Sequence, residues 1–236
     1  MKYYIGAALL MIGSTAQAGR PYSEEIKCPI GGEKFNITGT GSCSTFGGSQ
    51  DFLLQVQTSC DFVTKLAQCP SNKLPLYKEF SDEEVSKLED YIKSDEYKNY
   101  QDKSRYLLAY KVDSFLNGTT EPQASNFYLL WNGLKFDRSK TLENEEYMDI
   151  FHASSNAKLI EKNEGPENSY IRALLAYTHY YQNDNDGARG YLTTIKANES
   201  VKGEIFLQSY VARLEECMAS DIKCQSSERV ANSEKN

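Results

Sequence analysis

The spacing of apolar residues changes twice along this chain. Residues 5–12 are a short apolar run behind Met1 and Lys2, and Ala16-Gln17-Ala18 follows as a small-residue cleavage pattern. So short a run does not span a bilayer, and residues 1–18 are expected to be a secretory signal peptide cleaved after Ala18. Residues 52–57 and 62–66 have strand character and follow a Gly/Ser/Thr-rich stretch over 39–48 that reads as a plain mobile loop. From Ser81 onward the period is helical. Ser81-x-x-Glu84 is a capping box, with Val85, Leu88 and Ile92 on one face behind it. Further helices are predicted over 97–116, stopping at Asn117-Gly118, over 127–136 after Pro122, and over 143–162 before Gly165-Pro166. Three more cover 167–182, 185–197 and 200–219, the first two joined by the polar turn Asn183-Asp184-Asn185-Asp186-Gly187. The residues after Cys224 are read as polar with nothing to bury, which predicts a flexible tail.

Six or seven helices of roughly 12–20 residues with short connections predict helical hairpins stacked in series. Leu175-Ala176, Ala188 and Leu192 fall at the packing positions of a 34-residue tetratricopeptide unit starting near Ser169. Arg172 and His179 stand there in place of aromatics, and no proline closes the unit. The expected fold is mainly α: a small disulfide-stapled, β-rich N-terminal segment followed by stacked antiparallel helices resembling tetratricopeptide repeats. Its expected divisions are 1–18 signal peptide, 19–78 Cys/Gly-rich ribbon-like segment, 79–222 helical domain and 223–236 flexible polar tail.

Charge narrows the partners. Loss of Lys2 with the leader takes the 26 basic residues to 25, against 33 acidic, for a net charge of −8. Nucleic acid and anionic lipid both reward clustered Lys and Arg, and here the basic residues are scattered among acids. No later apolar stretch is long enough to cross a bilayer, so no membrane insertion of the mature chain is expected. All six cysteines lie beyond the leader, which places them in an oxidising compartment, periplasmic or secreted.

Cys28-Pro29-Ile30-Gly31-Gly32-Glu33-Lys34-Phe35, then Cys69-Pro70-Ser71-Asn72, then Leu76-x-x-x-Phe80-Ser81 with helices afterwards, resembles a family of bacterial proteins. That family has a CPxCG…CPxCG zinc-ribbon-like head and a tetratricopeptide-like helical body. The resemblance implies architecture and carries no activity. A zinc ribbon closes a tetrahedron with four thiolates from two C-x-x-C knuckles. In this chain Gly31 and Asn72 occupy the second cysteine position of each knuckle. The resemblance therefore implies that Cys28 and Cys69 pair with each other, joining the two loops that zinc would join. With that pair taken, the assignment weighted by locality and by the resemblance is Cys43–Cys60 and Cys217–Cys224, one of fifteen possible pairings. No metal or other cofactor is expected.

Groups that could carry a reaction are sparse. His152 and His179 lie on different predicted helices without H-E-x-x-H spacing, and no G-x-S-x-G elbow or C-x-x-C redox pair is present. Glu83-Glu84 and Glu145-Glu146 point apart on helices and read as solvated faces. Aromatic usage says more, since the chain holds 17 tyrosines. Tyr170, Tyr177, Tyr180 and Tyr181 fall mostly on one side of a helix, at positions resembling those that line the concave groove of a tetratricopeptide array. Tyrosine offers large contact area and a directional hydroxyl at low entropy cost, so these four are the candidate contacts for a protein or peptide partner. Trp131, Phe127 and Phe136 are assigned to the core. The expected function is that of an exported, non-catalytic adaptor. The alternatives are a secreted inhibitor or immunity-type protein that blocks a toxin or hydrolase, and a hydrolase using scattered carboxylates.

Overall fold

A computed structural model of the chain describes residues 19–161, 165–220 and 223–230; the predicted leader and residues 231–236 lie outside them. In the N-terminal head, β1 (Pro21–Lys27) pairs antiparallel with β2 (Lys34–Thr40) in unbroken register, from Pro21 opposite Thr40 to Lys27 opposite Lys34. β3 (Thr45–Asp51) lies between β4 (Val56–Thr58) and β5 (Arg229–Val230), antiparallel to both. Most of the expected loop over 39–48 is therefore the end of β2 and the start of β3. Its glycine at 39 serves a packing need, because Tyr22 stands opposite and its ring occupies the space a Cβ would fill. Residues 62–66 form no strand; they run as turns and bends.

Two knuckle-like turns face each other at the end of the head. Cys28 N donates to Glu33 O and Cys69 N to Leu74 O, at 2.8 and 2.9 Å. Gly31 and Gly32 turn the first with positive φ. The carboxylate of Glu33 accepts from both the amide and the hydroxyl of Ser71, and Asn72 Nδ2 donates to Ile30 O. Cys28–Cys69 joins the turns, Cys43–Cys60 ties β3's approach to the loop after β4, and Cys217–Cys224 closes the last helix; all six cysteines are bridged. Three disulfides fit an oxidising environment.

Nine α-helices follow among the described residues: α1 (Asp82–Tyr91), α2 (Asp95–Tyr100), α3 (Arg105–Asn117), α4 (Phe127–Phe136), α5 (Arg138–Thr141), α6 (Glu145–Glu161), α7 (Pro166–Tyr181), α8 (Asn185–Ala197) and α9 (Ile205–Ala219). None is long and apolar enough to cross a membrane. The capping box of α1 forms as expected, Ser81 Oγ accepting from Glu84 N and Glu84 accepting from Ser81 N. The helix expected over 97–116 is instead two, because Ser104 caps a fresh start by accepting from Tyr106 N. Gly118, in the left-handed region, ends α3 where the sequence places the stop. The helix expected from 200 begins at Ile205, after a 3₁₀ turn (Glu199–Val201) and Gly203. α7 and α8 form a hairpin whose contact buries Leu175, Ala176, Ala188 and Leu192. Phe127 is in the core, Trp131 is half-buried, and Phe136 is exposed rather than internal, with Lys65 and Lys135 over its ring.

The segment after β3 departs most from expectation. Residues 52–54 form a buried turn, not a strand, and insert Phe52, Leu53 and Leu54 into the same core as the helices. Irregular backbone buried this way needs polar partners from elsewhere. Tyr210 Oη donates to Phe52 O, Trp131 Nε1 to Leu53 O and Arg229 to Gln55 O, while Asp51 Oδ1 accepts from Leu53 N and Gln55 N. Head and helical body thus share one core across the boundary expected at 78. Residues 223–230 correct a second boundary. They are no free tail, because Cys224 is bridged, Val230 is buried in the core and Glu228 pairs with Arg213.

Gly133 marks the tightest helix crossing. A Cβ there would overlap Tyr147 Oη and lie 2.8 Å from Tyr106 Cβ. Alanine ordinarily improves a helix interior by about 1 kcal/mol over glycine. Here Gly133→Ala instead destabilises by about 1–2 kcal/mol, the overpacking cost exceeding the propensity gain; urea unfolding reads the difference.

Candidate functional site

Of the four predicted contact tyrosines, the structure buries two. Tyr177 is fully buried, stacked on Phe52 at 4.8 Å, with its hydroxyl donating to Cys224 O. Tyr180 is buried beside it, and its hydroxyl accepts from Cys224 N. Neither reaches solvent to meet a partner. The physical reason is that α7 packs against α6, α8, α9, the 52–54 turn and the C-terminal segment, so the side of the helix that carries Tyr177 and Tyr180 is internal. The same enclosure raises the Tyr177 phenol far above its ordinary range by burial. Tyr170 and Tyr181 stay half-exposed but lie eleven residues apart, about 16 Å along the helix, and share no patch. Tyr170 stacks on Phe206 and donates to Glu204. Tyr181 carries the Lys223 ammonium over its ring at 4.2 Å.

A groove does exist, one helix further on. Between the C-terminal half of α8, the 3₁₀ turn and the first half of α9 lies an open space of about 320 Å³. Its floor is apolar: Ile195, Val201, Leu207 and Val211, each buried. Leu207 and Val211 stand four residues apart on α9 and so face the same way, and Gln208, Ala212 and Glu215 form the exposed rim next to them. Lys196 Nζ meets Glu215 at 2.6 Å across the groove, and Lys202 pairs with Glu199. The volume lies at the low end for ligand sites and suits one or two apolar side chains.

A second, polar cleft of about 390 Å³ lies between the start of α6 and the end of α7. Glu143, Glu145 and Asp149 line it with Leu142, Tyr181 and Gln182. The Tyr181 phenol is raised by burial and then by the charge of Glu143. A cationic group is the chemical complement of this lining.

Beside that cleft the two histidines of the chain, 27 residues apart in sequence, lie face to face with ring centroids 4.3 Å apart and planes 9° from parallel. His152 Nε2 bonds Thr178 Oγ1 at 2.9 Å, and His179 Nδ1 meets Asp184 Oδ2 at 2.8 Å. Burial, then the neighbouring His179, push His152 down to about 4, with Asp184 opposing. Separate helix assignments for His152 and His179 hide this meeting, since only the α6–α7 packing creates it. No group of three or more His, Cys, Asp or Glu among the described residues is placed to hold a metal ion. Compared with protein-family models, with curated proteins and with solved structures, the chain matches none; the function is read from the geometry above.

Proposed function

We propose that this is an exported, non-catalytic binding protein, acting in the periplasm or outside the cell, that holds an apolar side chain of a peptide or protein partner in the α8–α9 groove. One observation carries the reading: a space of about 320 Å³ with a mostly apolar lining opens between two helices under a charged rim. Helical scaffolds take amphipathic or extended peptides in this way, with apolar anchors supplying affinity and rim charges supplying register. The groove replaces the tyrosine face of α7 as the contact surface. On the family resemblance, the head is a ribbon whose metal has been replaced by the Cys28–Cys69 bridge, a clamp on the scaffold rather than a site.

Ala212→Arg tests the groove. Ala212 is exposed on the rim, so the arginine fills the opening without disturbing the core, and stability stays within about 0.5 kcal/mol. Peptides selected from a displayed random library on the wild-type protein should carry Leu, Ile, Phe or Met anchors and lose at least tenfold in affinity for Ala212→Arg. Selected peptides that bind both proteins alike remove the groove from consideration. The inhibitor reading draws on a separate observation, the acidic α6–α7 cleft. It expects Lys- and Arg-rich peptides that bind Ala212→Arg normally and release at high salt.

A further inference from the structure

We propose that the His152–His179 stack is a proton-operated latch, which holds α6 against the α7–α8 hairpin while the rings are neutral and releases α6 when both are charged. The hydrogen bonds assign the protons. Thr178 Oγ1 donates to the Leu174 carbonyl at 2.9 Å, so it accepts from His152 Nε2–H. His179 Nδ1–H donates to the Asp184 carboxylate. In each neutral ring the other nitrogen, His152 Nδ1 or His179 Nε2, carries no proton. The Asp184 carboxylate lies against His179 and balances a positive charge on that ring. With a proton on His152 as well, two cations lie face to face at 4.3 Å, one of them largely buried.

The surroundings hold the pair in place. Gly187 has no side chain because a Cβ there would overlap Asp184 Oδ2 and lie 2.8 Å from His179 Nδ1, so its absence lets the carboxylate close on the ring. The turn before α8 contributes Asp184, and α8 contributes Tyr191, whose ring lies 5.4 Å from His179 and whose hydroxyl donates to Asn156 on α6. On its other side α6 meets α4 through Phe127 against Phe151, and meets the turn before α4 through Ser154 donating to Gln123 O. Among the described residues, the charges that act on His152 are therefore His179, unfavourably, and Asp184, favourably.

The latch spans the elements that form the acidic cleft. Asp149 lies one turn before His152 on α6, and Tyr181 two residues after His179 on α7. Freeing α6 separates the Glu143, Glu145 and Asp149 side of the cleft from the Tyr181 side. The pH window follows from the direction of the shift. His152 titrates near 6.5 when α6 is free and about 4 when latched. Between those values the released state binds more protons, so acid favours release, and the latched-to-released ratio falls up to roughly 300-fold from pH 7 to pH 3.

With two histidines in the chain, imidazole NMR resolves both titrations on the native protein. His152 should titrate near pH 4, and amide exchange in α6, corrected for intrinsic rates, should quicken as the pH falls from about 6.5 and level off below about 4 while α9 stays protected. His152→Gln should abolish the α6 step, and His179→Gln should move the His152 titration upward because the neighbouring cation is gone. Three results overturn the proposal: an unchanged α6 step in His152→Gln, which assigns it to carboxylates; simultaneous loss of protection in α6 and α9, which is global unfolding; or His152 titrating near 6.5 in the native protein. If His152→Gln does not fold, the wild-type α6 step decides the matter: levelling off at the native His152 titration supports the latch, and a step that keeps growing below it overturns the latch.

Discussion

Asp51→Ala should destabilise this protein by about 3–5 kcal/mol, a large part of the total stability of a domain this size. The Asp51 side chain is 1 % exposed and sits at the end of β3, where the buried turn begins. One carboxylate oxygen accepts from Leu53 N and Gln55 N; the other pairs with Arg138 Nη2, which also donates to Gln55 Oε1. Alanine strands two buried amides and a mostly buried guanidinium at once, and stranded partners cost more than the interaction itself was worth. Because Phe52 O and Leu53 O are held by Tyr210 and Trp131, the turn cannot leave without uncovering helix side chains as well. The melting temperature should fall by on the order of 10 °C in a single transition. Asp51→Asn keeps an acceptor for the amides and should recover part of the loss. A second readout is local. The Lys135 amine, over the Trp131 ring at 3.8 Å, is pushed down to about 8 by burial while Asp51 pulls it up. Its pKa should fall further in Asp51→Ala, measured by NMR of the lysine side chain. Independent melting of the head and the helices would contradict a shared core.

Cys28→Ala/Cys69→Ala is the second large effect. The bridge closes a loop with a sequence separation of 41, for which chain entropy gives about 4 kcal/mol. Both cysteines are buried in a small cluster with Leu74, Leu88, Tyr91, Tyr97, Leu108 and Val112, so the bridge also fastens the knuckles to α1, α2 and α3. Tyr97 Oη and Gln101 Nε2 both donate to Asn72 O, polar ties between the second knuckle and the helices. A two-stranded hairpin such as β1–β2 does not hold itself together in water. Loss of the bridge should therefore expose the β1–β2 hairpin to protease before the helices, besides lowering the melting temperature by on the order of 10 °C. Zinc added to the reduced wild-type protein should restore nothing, because Gly31 and Asn72 leave two thiolates where a structural site needs four ligands. Stabilisation of the reduced protein by zinc would show that other side chains complete a site.

Local signals decided the helical elements. The Ser81-x-x-Glu84 box, the Asn117-Gly118 stop, the Gly165-Pro166 boundary and the Asp184 turn each act within one helical turn of backbone, so residue type alone specifies them. The cysteine pattern, read through a family resemblance, carried the bridge between the two knuckles. Signals failed where a residue's role depends on what surrounds it. The tyrosines of α7 have the spacing of a contact face, but two of them are core because the 52–54 turn, α9 and the C-terminal segment cover that side of α7. Residues 52–57 look like a strand, but residues 52–54 become a buried turn because Tyr210 and Trp131, far along the chain, satisfy its carbonyls.

What the sequence determined by itself is the succession of helices, their caps and the chemistry available to the thiols, because those depend on groups a few residues apart or on residue type. Which side chains face water, which helices leave an apolar groove between them, and that His152 meets His179 were decided by tertiary packing. Burial and ring stacking are properties of pairs of elements in space, and no single stretch of chain contains both members of the pair.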